Sequence, residues 1–306
     1  MTEPINQHHV PQTYLKNFSS RKKDDYYVWT WDNRTKKVFN SNIENVAVER
    51  HFYTIDNLQD KYVWETFYAK TIEPLMNRAL SNVINRTENI LVTDRAVVLS
   101  NELKKELAII MVCQLFRSKH SREFTTKIYK RKAPVILERT KSLFGGKGNS
   151  EVDKYLEAFP YSENLFRLSV MESVTNPEQV AKIASMLFER YWILYRIIGE
   201  QEFITSDNPV MFMNRCNLDV TPFSNGIVNE QTVVYYPISP KVLLALYSKE
   251  SLLGMLECFD NRVVFLDGLK EQKMIRNINS KQKEQCNRQV FAKSENILSE
   301  LVEKLI

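Results

Sequence analysis

Two of the chain's four histidines stand side by side, His8-His9, and run directly into Val10-Pro11-Gln12-Thr13-Tyr14-Leu15-Lys16-Asn17-Phe18. Imidazole titrates close to neutrality, so a histidine held neutral serves as a base or a metal ligand. Pro11 suits the first position of a helix, where its missing N–H costs nothing. Tyr14, Leu15 and Phe18 then share one helix face. His9 precedes that helix, near its positive end, where the dipole disfavours the imidazolium. The same residue also reads as a structural anchor for the opening segment. Glu65 and Glu73 are the second candidate pair. On an unbroken helix they lie roughly 80° apart around the axis, among apolar neighbours. A carboxylate in such surroundings needs a cation, a metal or a proton. Arg117 is the expected partner, and Gln114 projects from the same helix face three residues earlier. Asp207 ends an apolar run in Thr205-Ser206-Asp207-Asn208-Pro209. That position fits an active-site carboxylate and equally a plain Asp-Asn-Pro turn.

If His9, Glu65, Glu73 and Asp207 converge, they form an oxygen-plus-imidazole set suited to Mg²⁺ or Mn²⁺. The expected roles are then His9, Glu65, Arg117 and Asp207 as catalytic groups, with Glu65, Glu73 and Asp207 as metal ligands. Gln12, Gln114 and Asn208 would contact substrate. Arg117 and Gln114 are suited to the charge of a phosphate, and metal-assisted phosphodiester hydrolysis uses all these parts. A buried Glu–Arg network that holds helices in register is the competing explanation for Glu65 and Arg117.

Charge distribution points to a partner. The whole chain carries +5, yet residues 117–141 alone carry nine Lys/Arg against Glu123 and Glu138. Such a strip, with Lys127, Lys130, Arg131 and Lys132 at its centre, attracts a phosphate backbone or forms a solvated helix face. Other chemistries lack support. No H-E-x-x-H, G-x-S-x-G or C-x-x-C occurs. The glycines of Gly145-Gly146-Lys147-Gly148-Asn149-Ser150 lack the spacing of a phosphate loop and read as a surface loop. His120 follows Arg117 too closely for the spacing of helical ribonucleases.

The 306 residues, 43% of them hydrophobic and 26% charged, suffice for a substantial core, and the mean hydropathy of -0.36 is that of a soluble globular protein. No apolar run approaches the ~20 residues that span a bilayer. The first residues have no signal-peptide pattern, and Cys113, Cys216, Cys258 and Cys286 form no paired motif. These features predict a cytoplasmic protein with free or buried thiols and no membrane partner.

The elements that must position these residues read as α+β. Tyr26–Trp31 and Lys36–Phe39 predict a hairpin, and residues 50–55 a third extended run. Residues 61–86 predict a helix kinked or broken at Pro74. Residues 94–120 predict a buried central helix capped by Thr93 or Asp94. A third helix is expected from Phe124 to about Leu143, broken at Pro134, with a shorter one near 151–158. Pro177–Arg190 predicts another amphipathic helix. Tyr191–Ile198, Phe203–Ser206, Thr232–Pro237 and Val242–Tyr247 predict a mostly antiparallel sheet. Helices over Glu271–Val290 and Ile297–Ile306 close the chain. The expected organisation is a single intertwined domain over 1–306, with a helical centre at 61–190 between strand-bearing regions at 1–60 and 191–306.

Several segments, in order, carry a resemblance. They are His9-x-Pro11-x-x-Tyr14-Leu15-x-x-Phe18, Phe52-Tyr53, Glu65 with Glu73, and Gln114-x-x-Arg117. Thr205-Ser206-Asp207-Asn208-Pro209, Tyr236-Pro237-Ile238-Ser239-Pro240 and Asn279-x-x-Gln282 leading to Val290-Phe291 follow. Over nearly the whole chain this order resembles the bacterial domain-of-unknown-function family 4238. The resemblance implies an architecture and a scattered accessory role, as in antiviral defence or mobile elements, but no reaction. The residues point to a protein acting on nucleic acid, a metal-dependent nuclease in the enzyme reading. The alternative is a non-catalytic nucleic-acid-binding or protein-interaction module whose polar residues form a buried structural network. A small-molecule hydrolase or transferase is the third class.

Overall fold

The structure is a computed structural model and describes residues 5–54, 60–92, 96–144, 171, 176–221, 225–250, 254–267 and 269–303, with the side chains of 128, 129, 132–134, 136, 137, 140–144 and 303 outside the description. The glycine-bearing segment 145–150 and the helix expected near 151–158 lie outside the described residues.

The chain opens with β1 (Asn6–His8) and the short α1 (Gln12–Leu15). Pro11 stands one position earlier than expected, as the N-cap, and its carbonyl accepts from the N–H groups of Tyr14 and Leu15. Strands β2 (Ser20–Lys22), β3 (Asp25–Asp32), β4 (Lys37–Asn42) and β5 (Val48–Arg50) follow. The β3–β4 hairpin is the one the alternation predicts, whereas the third extended run ends at Arg50 instead of beginning there. β5 pairs antiparallel with β1, so His8 ends one strand of a two-stranded ribbon and His9 follows directly after it.

The helical centre departs from the simple pattern. α2 (Val63–Phe67) passes through a π-helical stretch at Tyr68–Ile72 into α3 (Glu73–Asn89). Pro74 is the second residue of α3, directly after the π-helical stretch, so two shorter α-helices meet through a π-helical turn next to the proline, as the sequence suggests. α4 (Asn101–Arg117) starts later than expected, capped by the Ser100 hydroxyl, which accepts from Leu103 N–H. The preceding Val98 and Leu99 donate their N–H groups to Asn261 O instead of joining the helix. α5 (Lys119–Phe144) runs through Pro134 as one helix. α6 (Pro177–Phe188) is capped by Asn176, whose side chain accepts from Glu178 and Gln179 N–H.

The C-terminal half carries β6 (Tyr191–Ile198), β7 (Thr205–Ser206), β8 (Met211–Asn214), β9 (Thr232–Pro237), β10 (Val242–Tyr247) and β11 (Arg262–Asp267). α7 (Gln272–Glu284), β12 (Gln289–Ala292) and α8 (Glu295–Glu303) complete the described chain. The helix expected to reach Val290 stops at Glu284, and its last residues become β12. One sheet has the order β11-β6-β10-β9-β8, antiparallel except for the parallel β11–β6 pair. The other joins the two chain ends: β12 pairs with β3 on one side and β7 on the other. The architecture is α+β, with strands near the N-terminus and in the C-terminal half around a helical middle.

One hydrophobic cluster takes Tyr14 and Phe18 from the opening, Met76 and Leu107 from the helices, Trp192 and Leu244 from the sheet, and Phe291 near the end. Tyr14 ties the opening down. Its ring stacks on Tyr236 at 5.3 Å, and its hydroxyl donates to Pro237 O while sharing a hydrogen bond with Thr205 Oγ1. Burying Tyr14, Leu15 and Phe18 contributes roughly 1.5–3 kcal/mol each, which holds a four-residue helix that could not persist alone. No helix among the described residues is long and apolar enough to cross a membrane. The four cysteines are free, and burial pushes the Cys113 thiol up to about 11.

Candidate functional site

The second half of α4, from Leu107 on, is apolar apart from Gln114 and Arg117, so these two buried polar side chains must find partners inside the protein. Gln114 and Arg117 do so one turn apart. Gln114 Nε2 donates to His9 O at 3.2 Å, and Arg117 Nη2 donates to His8 O at 2.6 Å. Together they grip the backbone of the opening segment. Arg117 Nε also donates to the Tyr53 hydroxyl at 3.1 Å, and both terminal nitrogens donate to Glu73 Oε1 at 3.3 Å. The guanidinium lies 4.4 Å from the Tyr68 ring centroid. Burial opposes its charge, but Tyr53, Glu73 and Tyr68 outweigh that effect and keep it cationic. The Arg117 side chain is 1% exposed, so it is a closed hub and not an open phosphate clamp.

The expected Glu65–Arg117 pair is therefore an Arg117–Glu73 pair. The π-helical stretch between the two glutamates resets their angular relation and turns Glu73 to the guanidinium. Glu65 stays near enough to feel Arg117 and Glu73, yet its Oε2 is buried and has no hydrogen-bond partner. Burial raises the Glu65 pKa to about 7; the Arg117 charge counteracts this and Glu73 reinforces it. Around the hub, His8 Nε2, His9 Nδ1, Gln114 Oε1 and Trp64 Nε1 are likewise buried without a partner.

His9 is buried, packs at 5.5 Å from Phe52, and donates its backbone N–H to Ala47 O. Its pKa is lowered to about 3 by burial first and then by the charges of Arg117 and Lys119. It is neutral as expected, though the cause is burial and not the dipole of the short α1. His8, its neighbour in β1, is the histidine that faces Glu73: burial lowers its pKa, and Glu73 opposes that shift.

Asp207 is buried apart from this hub. Its carboxylate accepts three backbone N–H groups, those of Asn287, Arg288 and Gln289, at 2.8, 2.6 and 2.9 Å. Burial raises its pKa to about 6, and those three donors pull it back. It thus closes the turn into β12. Among the described residues, Asp207 and His9 are linked through Ala47 and Gln289: Ala47 O accepts from His9 N, and Ala47 N donates to Gln289 Oε1, while the Lys119 charge acts on both side chains. Asn208 lies beside Asp207, and its carbonyl accepts from Gln282 and Gln285 Nε2. Gln12 opens α1 and is half-buried.

The residues expected to hold Mg²⁺ or Mn²⁺ do not fit a resident cation. Glu73 is engaged by Arg117, and the Asp207 carboxylate is engaged by three backbone donors. Among the described residues, no group of three His, Cys, Asp or Glu side chains stands ready to hold a metal ion.

A family model described as protein of unknown function (DUF4238) matches residues 6–296. The chain belongs to the DUF4238 family. No curated protein and no solved structure matches it. The match spans both ends of this DUF4238 chain, from β1 to the start of α8, and so includes the hub, the Asp207 turn and the basic helix.

The basic strip is also reshaped by folding. Arg117 is consumed by the hub, Lys119 pairs with Glu49 at 2.8 Å, and Arg122 donates to Phe52 O. These cations brace the N-terminal ribbon. Lys127, Lys130 and Arg131 on α5 are exposed, while the Lys132 side chain lies outside the description.

Proposed function

We propose that this protein is a non-catalytic nucleic-acid-binding module that takes phosphates along the middle of α5. One observation carries the reading: the cations split into two sets. Arg117, Lys119 and Arg122 are spent on internal contacts, whereas Lys127, Lys130 and Arg131 stay exposed within one helical turn. Cations at i, i+3 and i+4 share a face, and such a cluster binds phosphate chiefly by counterion release. The hub supports this indirectly, because it accounts for Arg117 and Glu73 as structural parts. The test is binding of labelled single- and double-stranded DNA and RNA across a salt series. Affinity should fall steeply between roughly 50 and 200 mM salt. Lys127→Glu/Lys130→Glu/Arg131→Glu should abolish it without altering the thermal melt. Absence of binding at low salt in the unmodified protein refutes the reading.

Glu65 favours a second reading, phosphodiester hydrolysis by general acid–base catalysis. A carboxyl that titrates at about 7 is matched to proton transfer at neutral pH. Its test is cleavage of labelled RNA and DNA over a pH series, with and without Mg²⁺ or Mn²⁺, against Glu65→Gln. Substrates left intact by the unmodified protein in all conditions end that reading.

A further inference from the structure

A cleft of about 330 Å³ opens beside the first turns of α5. Its walls are largely apolar, with Phe116, Phe124, Ile183, Val210, Phe212 and Ile227 among them. The volume falls at the lower end of small-ligand pockets, which run ~300–1,000 Å³.

Two of its polar residues are incompletely satisfied. Asn208 and Asn225 both line the cleft and are 5% and 1% exposed. The amide of Asn225 donates to Asp219 O and Thr221 O, and that of Asn208 to Gln285 O. The Oδ1 of each is buried and has no hydrogen-bond partner. Both deficits have one sign: two acceptors lack donors. Neither oxygen is open to the cleft as the side chains stand, so each meets an occupant only after a side-chain rotation; a buried acceptor without a donor costs roughly 1–3 kcal/mol, which favours an occupant with an apolar body and N–H groups along an edge. His120 stands on the same wall, its imidazole pKa lowered by burial.

The geometry of α5 supplies the rest. His120, Phe124, Lys127 and Arg131 are spaced i, i+4, i+7 and i+11, which confines them to a stripe about 60° wide. The first two line the cleft, and the last two are exposed. One helix stripe thus passes from an apolar, aromatic pocket to free cationic ends. A nucleobase combines aromatic faces with N–H donors on its Watson–Crick edge, and its backbone carries the phosphates. In a duplex those N–H groups are already paired.

We propose that the cleft takes one unpaired base of a single-stranded nucleic acid, with Phe124 and Phe212 against its faces, Asn208 and Asn225 accepting from its N–H edge, and the adjoining phosphates on Lys127 and Arg131. This rests on the nucleic-acid-binding reading above and names its substrate as single-stranded.

The test compares two labelled strands of equal length and charge by fluorescence anisotropy, one with bases and one fully abasic. A base stacked on aromatic side chains is worth about 1–3 kcal/mol, so the base-bearing strand should bind roughly 5- to 150-fold tighter. Two variants fill the cleft without touching charge. Ile183→Trp adds bulk from α6. Gly226→Leu adds it at a lining position where a new Cβ meets nothing within 4 Å. Each folded variant should reduce base-bearing affinity to the abasic level and leave abasic binding unchanged. Equal affinity for both strands, weakened by Lys127→Glu/Arg131→Glu, overturns the cleft proposal and leaves phosphate binding by α5 standing. A base preference that survives both variants also overturns it. No binding of either strand at low salt defeats the underlying reading and this proposal with it.

Discussion

Replacing Arg117 by methionine tests the hub most directly. The side chain donates four hydrogen bonds, to Tyr53 Oη, twice to Glu73 Oε1, and to His8 O. Removing one partner of a buried ion pair costs about 3–5 kcal/mol, because the other is stranded. Here the stranded group is Glu73, 26% exposed and open to some water. The Tyr53 hydroxyl keeps its own bond to His8 O at 3.2 Å. Both facts place the loss at the low end, about 3 kcal/mol. Urea unfolding should register it as a midpoint lowered by roughly 1 M, given a slope of about 3 kcal/mol per molar for a chain of this size. The complementary change, Glu73→Gln, strands the guanidinium instead. Glu65 already feels the Arg117 charge, and with Glu73 gone it ionises more readily. Glu73→Gln should therefore cost less at about pH 8, with Glu65 charged, than at about pH 5. A loss below about 1 kcal/mol for Arg117→Met, the size of a solvent-open ion pair, or a cost for Glu73→Gln that ignores pH, would refute the reasoning.

Glu65 itself should make stability fall as pH rises. Its folded pKa of about 7 lies above the ordinary value of 4.5; its favourable contribution is complete below that ordinary value and lost as pH passes through 7, and Glu65→Gln should flatten that window in urea titrations. His9 works in the opposite sense. With its pKa lowered from 6.5 to about 3, stability is retained above 6.5 and lost as pH falls towards 3, so NMR should find the His9 ring neutral at about pH 5; a ring titrating near its ordinary value contradicts its burial. Asp207→Asn exchanges two acceptor oxygens for one against three backbone donors and should cost about 1–3 kcal/mol in urea unfolding. A loss under about 0.5 kcal/mol would show that the turn into β12 does not depend on that carboxylate.

Local pattern made much of the frame legible. The alternation of Tyr26–Trp31, the apolar runs of β6, β9 and β10, and the amphipathic spacing of α6 each bury one face by a short-range rule. Their positions in the sequence and in the fold agree to within a residue or two. Segments whose conformation depends on a distant partner were not legible. Gln289–Ala292 continues a helix-like run, yet becomes a strand because β3 and β7 offer it two edges. Val98 and Leu99 leave the central helix because Asn261 O accepts their N–H groups.

The same division holds at the site. By itself the sequence determined which residue types had to be paired: a lone arginine and glutamine on an apolar helix cannot be buried alone, so Gln114 and Arg117 required polar partners. Which partners they found was decided only by tertiary structure. The π-helical stretch turned Glu73 and not Glu65 to Arg117, and the β1–β5 ribbon brought the His8 and His9 carbonyls within reach of α4. Asp207 drew three backbone donors from a segment 80–82 residues away. The need for a partner is a property of one side chain's solvation, whereas the partner's identity depends on which segments the packing of the whole core brings within about 3 Å.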